Sequence, residues 1–322
     1  MDTTVAVRQI QLRSGPPAVG LSEIEYSRVG DRRFAAHDFL ARIIGSLNGN
    51  PESIVRALDA CATRMETPCG DGAIVWRRWG EGRPLVFFHG AAGSWTHWIE
   101  QIEDLSTDYS VWIPDLPGNG DSAQPIPPND IDAAAAAVLQ GLEIVLPRAS
   151  FRAVAFSAGF VLCAEVARRL GERVALIVGA SPGAVGPIVR LSLRSLRGIT
   201  DPDEIDAVHR HNLATLMLAD PRKVDELALY VQNENSRRAR FKLRYVDQGA
   251  PALDRLRGAR TRVAVIWGAL DAARPDIEHY RQVFNELQPG LPFHVIEAAG
   301  HWLMYEAPAR FNAIIRCLLA QA

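Results

Sequence analysis

Ser157 stands in a short segment that can present a reactive hydroxyl group. The segment reads Val154-Ala155-Phe156-Ser157-Ala158-Gly159, and it joins an apolar run predicted as a strand to a run predicted as a helix. A serine at such a junction lies on a sharp turn, with its hydroxyl at the positive end of the following helix. The turn brings strand and helix together and requires small neighbours, which Ala155 and Gly159 provide. The same serine could be an ordinary helix N-cap, so a catalytic role requires a suitable base and acid elsewhere in the sequence.

A serine hydroxyl becomes a useful nucleophile only when a base removes its proton. Among the eight histidines, His301 follows a late predicted strand in a loop of small residues, Ala298-Ala299-Gly300. Asp271 follows the preceding core strand in the same way and is the candidate that orients the imidazole. Sites of open α/β sheets form outside the carboxyl ends of the strands, so Ser157, Asp271 and His301 are predicted to meet there. Singly, Asp271 could be a helix cap and His301 a loop histidine, but the three placements together favour catalysis.

The loop after the first predicted core strand supplies a further chemical element. It reads Gly90-Ala91-Ala92-Gly93-Ser94, and its small residues let a substrate approach the backbone. A tetrahedral intermediate needs preorganised N–H donors for its oxyanion, and the amides of Ala91 and Ala158 are predicted to be these donors. Ala92 is expected to border the substrate. No Gly-Lys-Ser/Thr follows the glycines and no G-x-G-x-x-G opens a helix, so phosphate binding is not indicated.

From residue 72 onward, the elements that would carry these residues alternate between strands and helices. Short apolar runs that are apolar on both faces, separated by helical stretches, indicate a mostly parallel sheet covered on both sides. The predicted strands are residues 73–79, 84–89, 110–116, 151–156, 173–178, 262–267 and 292–297, with clear helices at 131–146 and 159–170.

Two segments fall outside this alternation. Residues 182–260 show helical patterns without a convincing strand, and we interpret them as a cap inserted between core segments 72–181 and 261–322. Residues 1–71 are predicted to be a helical extension, with one helix capped by Asp31 and a second beginning at Asn50-Pro51. Their apolar stripes require a docking surface, either the cap or a second copy in a homodimer. The stripes are Phe34, Phe39, Leu40, Ile43, Ile44 and Leu47, then Ile54, Val55, Leu58 and Met65.

The composition excludes several classes of protein. The chain has 322 residues, of which 48% are hydrophobic, enough for one large α/β domain with an insertion. Its formal net charge of −2, without a long run of Lys and Arg, argues against nucleic acid as a partner. The four cysteines show neither metal-ligand spacing nor a dense disulfide pattern, as expected of a cytoplasmic protein. We recognise no signal peptide and no membrane-length apolar segment, so a soluble protein without a membrane partner is predicted.

Together, these motifs resemble the α/β-hydrolase superfamily from about Ala73 to the C-terminus. The resemblance implies the α/β-hydrolase fold, a mostly parallel central sheet flanked by helices with an inserted cap. The chain order Ser, Asp, His is that of this family, and Ala155 departs from the glycine that usually opens the G-x-S-x-G pattern. The carrying motifs are His89-Gly90 with its loop, Asp115-Leu116-Pro117-Gly118-Asn119-Gly120-Asp121-Ser122, the Ser157 turn, the Asp271 loop and Gly300-His301-Trp302.

Serine at position 157, in the turn between strand and helix, indicates the serine branch of the superfamily, because haloalkane dehalogenases and epoxide hydrolases use aspartate at this place. Gly300-His301-Trp302 and the cap stretch 233–238 resemble the carbon–carbon hydrolases of aromatic catabolism, which place an arginine in that stretch against the anionic end of the substrate. Two features depart from that subgroup: Phe156 stands where asparagine is usual, and the loop at 91–94 lacks Gly-Pro-Gly. Simple esterases and enol-lactone hydrolases share the remaining motifs.

Three larger side chains are predicted to contact the substrate. Phe156 precedes the nucleophile, Trp302 follows the base, and Arg238 lies in the cap. Arg238 or Arg237 could pair a substrate carboxylate or enolate in the cleft, or their cluster could be the solvated face of one helix. The cluster consists of Arg237, Arg238, Arg240, Lys242 and Arg244.

The sequence therefore predicts a serine hydrolase of esterase or lactonase type, acting on a small or medium, apolar or aromatic substrate without cofactor or metal. Ser157 would attack a carbonyl, His301 would accept and return the proton, and Asp271 would fix the tautomer of His301. Two alternatives stay open. One is a carbon–carbon hydrolase or enol-lactonase of aromatic catabolism, and the other is a non-catalytic member of the fold that binds a small ligand.

Overall fold

The computed structural model describes residues 49–242 and 249–321, so the predicted helix that begins at Asp31 and the side chain of Arg244 lie outside the described residues. The strands are β1 Thr63–Cys69, β2 Gly72–Trp79, β3 Arg83–Phe88, β4 Tyr109–Pro114, β5 Phe151–Phe156, β6 Val174–Ala180, β7 Arg262–Gly268 and β8 Phe293–Ile296. They form one sheet in the order β1-β2-β4-β3-β5-β6-β7-β8. The pairs β1–β2 and β2–β4 are antiparallel, and every pair from β4 to β8 is parallel.

The central strands are buried on both faces of the sheet. Along β5, Ala153 and Ala155 join one hydrophobic cluster, whereas Val154 and Phe156 join the other. All four are at most 1% exposed. Successive side chains of a strand point to opposite faces, so a run that is apolar at every position is the pattern of a doubly covered sheet. The predicted fold class is confirmed.

Helices cover both faces of this sheet and fill the connections. They are α1 Pro51–Ala60, α2 Ile99–Leu105, α3 Ile131–Val145, α4 Gly159–Leu170, α5 Pro202–Asn212, α6 Glu226–Arg238, α7 Pro251–Leu256, α8 Ile277–Leu287, α9 Leu303–Glu306 and α10 Pro308–Ala320. Side-chain caps start several of them: Asn50 Oδ1 accepts the Ser53 amide at 2.9 Å, and Asp130 Oδ1 accepts the Ala133 amide at 2.7 Å. The helix predicted to begin at Asn50-Pro51 is therefore present as α1.

The first strand was not expected from the sequence. Met65, assigned to the stripe of the second helix, lies in β1, and α1 ends at Ala60. Residues of β1 pair with β2 from Thr63 to Cys69, so the sheet begins inside the segment predicted to be a helical extension. The assignment of Met65 to a helix is wrong.

The basic cluster does not form one helix either. α6 ends at Arg238, and the next residues leave the helix axis. The amides of Arg240 and Phe241 both donate to the Gly118 carbonyl, at 2.8 and 3.0 Å, which ties this segment to the loop after β4. Arg237 and Arg238 therefore lie at the end of a helix, whereas Arg240 and Lys242 lie in the non-helical segment that follows it.

Residues 182–260 contain α5, α6 and α7, and their described part contains no strand. α5 and α6 contact each other, and α1 contacts α6, whereas α7 packs against α4 of the sheet layer. A π-helical turn, Leu213–Met217, follows α5 directly. No helix in the described part of the chain is both long enough and apolar enough to span a bilayer.

A buried arginine joins β2 to the motif after β4. The Arg77 side chain is 3% exposed, and it donates to Asp115 Oδ2 at 2.9 Å and to Asp121 Oδ2 at 2.6 Å, with a further bond to Asp59. Burial works against its charge, but these carboxylates outweigh it and raise the pKa of Arg77. Asp115, 1% exposed, also accepts the Trp95 amide at 2.9 Å, so the network supports the loop after β3.

Replacing Arg77 with methionine should destabilise the fold by about 3–5 kcal/mol, because the Asp115 carboxylate would stay buried without its cation. The free energy of unfolding in urea measures this. Arg78→Met is the matched control, since Arg78 is half-buried on the same strand and its cation lies 5.6 Å from the Trp112 ring. The control should cost less than about 1 kcal/mol. Equal losses in the two variants would contradict a special role for the Arg77 network.

Candidate active site

The turn between β5 and α4 holds Ser157 in a constrained backbone conformation. Its φ angle is +48°, in the left-handed region that side-chain-bearing residues rarely adopt. Two glycines allow the chain to pack around it: a Cβ on Gly159 would lie 2.3 Å from the His89 carbonyl oxygen, and one on Gly183 would lie 2.8 Å from the Ser157 carbonyl carbon. Such local strain persists where the surroundings hold it, and here it turns the hydroxyl away from the helix axis.

Three predicted residues form one chain of hydrogen bonds. His301 Nε2 lies 2.9 Å from Ser157 Oγ, and His301 Nδ1 lies 2.8 Å from Asp271 Oδ2. Asp271 is fully buried and His301 is 4% exposed. A carboxylate can only accept, so Nδ1 carries the proton and Nε2 is left to accept from the serine hydroxyl. The structure therefore brings together side chains that lie 144 and 30 residues apart in the sequence.

The surroundings of Asp271 keep its carboxyl group ionised. Burial opposes ionisation most strongly, but the charge and hydrogen bond of His301, nearby Arg274 and the Ala273 amide together hold the pKa of Asp271 below its usual value. The Ala273 N–H donates to Oδ1 at 3.0 Å, so each carboxylate oxygen has its own donor. A fixed negative charge at this position stabilises a protonated imidazole.

Two backbone amides beside Ser157 have no acceptor among residues 49–242 and 249–321. They belong to Ala158, at the start of α4, and to Ala91, in the loop after β3. The next residue, Ala92, has a φ angle of +47°, so this loop is also bent into an unusual conformation. Free N–H groups at the head of a helix and in an adjacent turn can receive an oxygen that carries negative charge.

Two histidines position the loop that carries Ala91. His89 uses both ring nitrogens: Nδ1 lies 2.8 Å from the Gly90 carbonyl, and Nε2 accepts the Leu116 amide at 2.8 Å. His97 Nδ1 accepts the Gly90 amide at 3.3 Å. Burial, with neighbouring His89 and His301, lowers the pKa of His97 well below its ordinary value, so the ring is a neutral acceptor. No local sequence pattern indicated His97, because its buried ring is positioned by contacts between segments that are distant in the sequence.

A mostly apolar pocket opens beside these amides. Its walls come from the Ala91–Ala92 turn, from Leu116 and Pro117 after β4, from Ile131 of α3, and from Ala158. Phe241 supplies the wall on the remaining side. A substrate group in this pocket would lie next to the free amides and would be shielded from water by aliphatic side chains.

The three larger side chains predicted to contact the substrate are not among the residues that line this pocket. Phe156 is 1% exposed, and its ring packs 5.1 Å from that of His301. Trp302 is fully buried, donates from Nε1 to the His97 carbonyl at 3.0 Å and stacks on Tyr305. Neither lines the pocket. Phe156 instead packs on the imidazole of His301, and Trp302 joins the His301 loop to His97.

The Arg238 side chain is 52% exposed and is paired with acidic groups of this chain. It lies 2.9 Å from Asp121 Oδ1 and 3.2 Å from Glu234 Oε2. Arg237 is 71% exposed and pairs with Glu234 at 2.8 Å. Neither arginine lines the pocket beside the free amides. These exposed ion pairs favour the interpretation of Arg237 and Arg238 as part of a basic surface in contact with solvent.

The loop that carries His301 is tied to residues 217–220 by an acidic side chain that the sequence did not single out. Glu306, 4% exposed, accepts the Gly300 amide at 2.7 Å, the Asp220 amide at 2.6 Å and the Ala219 amide at 3.1 Å. The Trp302 amide donates to the Met217 carbonyl at 2.7 Å. His301 is therefore held by hydrogen bonds of the amides on either side of it, those of Gly300 and Trp302.

No group of three or more His, Cys, Asp or Glu in the described ranges is arranged to hold a metal ion. Two of the described cysteines, Cys69 and Cys163, are buried, and all four described cysteines are free thiols.

The sequence of this chain matches a known protein family and several characterised proteins. A profile of the alpha/beta hydrolase family matches residues 85–314, well over half of the chain. The chain is also similar to the dihydrolipoyllysine-residue acetyltransferase component of the acetoin cleaving system from Cupriavidus necator, with 25% identity over 256 residues. That alignment covers 74% of this chain and 64% of the relative, so this chain spans just under two thirds of that protein's length.

Two solved structures share the fold. An esterase from Rhodococcus sp. ECU1013 superposes with a TM-score of 0.67 at 23% identity, covering 80% of this chain and 98% of the esterase. A meta-cleavage product hydrolase from Pseudomonas fluorescens IP01 superposes with a TM-score of 0.65 at 23% identity, covering 80% and 97% of the two chains.

Proposed function

Because this chain belongs to the α/β-hydrolase family, we propose that it is a serine hydrolase that cleaves a carboxylic ester or related acyl bond through an acyl-enzyme. The observation that carries the proposal is the hydrogen-bond chain from Ser157 Oγ through His301 to Asp271. An activated serine needs a base within hydrogen-bond reach and a third group that orients the base, and these distances meet both needs. The mechanism requires no cofactor or metal.

In the proposed reaction, Ser157 Oγ attacks the substrate carbonyl while His301 Nε2 takes its proton. The carbonyl oxygen becomes an oxyanion between the N–H groups of Ala91 and Ala158. His301 then gives the proton to the leaving group, and the acyl group remains on Ser157. Water attacks the acyl-enzyme with His301 again as base, which releases the acid and restores the serine.

The pocket beside the free amides supports a small or medium apolar acyl substrate. Its lining side chains are mainly alanine, leucine, isoleucine and phenylalanine, with polar groups largely engaged by the backbone, as for His89. Such a lining binds hydrocarbon and gives little stabilisation to a charged group.

Labelling with a fluorophosphonate probe tests the proposal directly. Folded protein should lose esterase activity as one equivalent of probe is incorporated, and the modified peptide should carry Ser157. The reason is that these probes phosphonylate serines activated by a base, whereas other serines stay unmodified. If folded protein is not labelled and hydrolyses no p-nitrophenyl ester, the non-catalytic ligand-binding alternative is favoured.

Two related chemistries use the same residues. The shared fold with a meta-cleavage product hydrolase supports testing ring-cleavage diketones and enol-lactones beside the ester series. Similarity to an acetyltransferase component supports testing transfer of the acyl group from Ser157 to a thiol. A substrate panel run with and without added thiol decides among them, because hydrolysis and transfer give different products from one acyl-enzyme.

A further inference from the structure

We propose that Phe241 sets how long a carbon chain the substrate can carry beside its reacting carbonyl. This inference rests on the serine-hydrolase function proposed above and specifies the substrate class of the same site. Phe241 lines the pocket that also borders the amides of Ala91 and Ala158. Within the described residues, it is the only lining side chain that comes from the range 182–260.

The part of the pocket wall that surrounds the free amides cannot yield much space. Gly90, Ala92 and Ala158 have no side chain, or only a methyl group, to remove. His89 is large, but both of its ring nitrogens are bound to the backbone. Leu116, Ile131 and Leu162 also line the pocket, but Phe241 has the largest apolar side chain of the lining, and a substitution there removes the ring without changing the loop around the free amides.

The backbone at Phe241 is fixed, so the ring does not withdraw at low cost. Its amide donates to the Gly118 carbonyl at 3.0 Å, and the Arg240 carbonyl accepts from Gln124 Nε2 at 2.9 Å. The Lys242 amide donates to Asn129 Oδ1 at 2.7 Å. Gly118 has a φ angle of +76°, and a Cβ there would lie 2.8 Å from the Cβ of Phe241. Phe241 thus packs directly on the loop after β4.

These contacts predict a sharp limit on chain length. A chain that ends before the ring gains about fourfold in binding for each methylene it buries. A longer chain must displace the ring, and the hydrogen bonds of residues 240–242 keep its backbone from moving aside, so the gain disappears. Removing the ring restores space for about six carbon atoms and should restore the gain for longer chains.

The test measures kcat/KM for p-nitrophenyl acetate, butyrate, hexanoate and octanoate, and for a series of acetate esters with alcohols of matching length. The wild type, Phe241→Leu and Phe241→Ala are compared. In one of the two ester series, Phe241→Ala should raise the ratio of kcat/KM for the six-carbon chain to that for the four-carbon chain by about 16-fold, because two methylenes contribute about fourfold each. Phe241→Leu should fall between the alanine variant and the wild type.

Phe293→Ala is the matched control, because it removes the same group from a partly buried ring stacked on Trp267 at the far edge of the sheet. It should leave the chain-length profile unchanged. Titration with a fluorophosphonate gives the folded active fraction of each variant, so loss of fold is not mistaken for loss of preference. Profiles of Phe241→Ala and wild type that agree within about twofold in both series overturn the inference while the proposed function stands. If the wild-type protein neither hydrolyses these esters nor reacts with the probe, the proposed serine-hydrolase function itself is contradicted.

Discussion

Replacing Ser157 with alanine should lower kcat by about 10⁶ and leave the fold intact. The hydroxyl contacts His301 Nε2, and without it the imidazole has no nucleophile to activate for formation of the acyl-enzyme. Alanine can adopt a φ near the +48° of Ser157, as Ala92 does at +47°, so the turn should persist. Steady-state hydrolysis of a p-nitrophenyl ester measures the rate, and thermal unfolding should show a change within about 1 kcal/mol.

Ser150→Ala is the control for this substitution, because Ser150 is exposed and its hydroxyl donates to the Arg173 carbonyl away from the site. It should keep full activity and full labelling by the probe. Substantial hydrolysis by folded Ser157→Ala, above a level that contaminating enzyme explains, would show that another group performs the attack.

Replacing Asp271 with asparagine should lower kcat by about 10⁴, with little change in KM. The Ala273 amide donates to Oδ1, so an asparagine would keep its carbonyl there and turn its NH₂ group toward His301 Nδ1. The imidazole would then carry its proton on Nε2, facing the serine hydroxyl as a donor. A base in that tautomer cannot accept the serine proton.

The comparison for this variant is Asp276→Asn, at the exposed start of α8, where Oδ1 accepts the His279 amide. Asparagine is an equally good N-cap, so rate and stability should stay close to wild type. If Asp271→Asn kept most of the activity, the carboxylate would not act through the tautomer of His301 and another acid would have to be sought.

The centre of the sheet is the part that sequence patterns predict well. β5 and α4 have the bounds expected from residues 151–156 and 159–170, because the apolar run stops at Ser157 and a helical stripe begins at Gly159. Both faces of this strand are buried, so nothing breaks its pattern. Asp271 and His301 follow the same logic, since each comes directly after a core strand that ends at the same edge.

Edge and long-range features escape this kind of analysis. β1 has one exposed side and few apolar residues, so Met65 matched a helical spacing from Leu58 as well as a strand. The Arg77 network joins residues 18, 38 and 44 positions apart, and no local pattern signals such pairing. The chain leaves the helix after Arg238 because its amides find the Gly118 carbonyl, a partner more than 100 residues away in sequence.

The shared carboxylate of Glu306 couples residues 217–220 to the loop that carries His301. Outward movement of residues 217–220 would break three hydrogen bonds, two to Glu306 and one from the Trp302 amide, and would loosen the imidazole at the same moment. A hinge at residues 217–220 would therefore open the site only while the imidazole of His301 is displaced. A substitution that shifts residues 217–220 is therefore expected to lower turnover by moving the imidazole, even where Ser157 and Asp271 keep their positions.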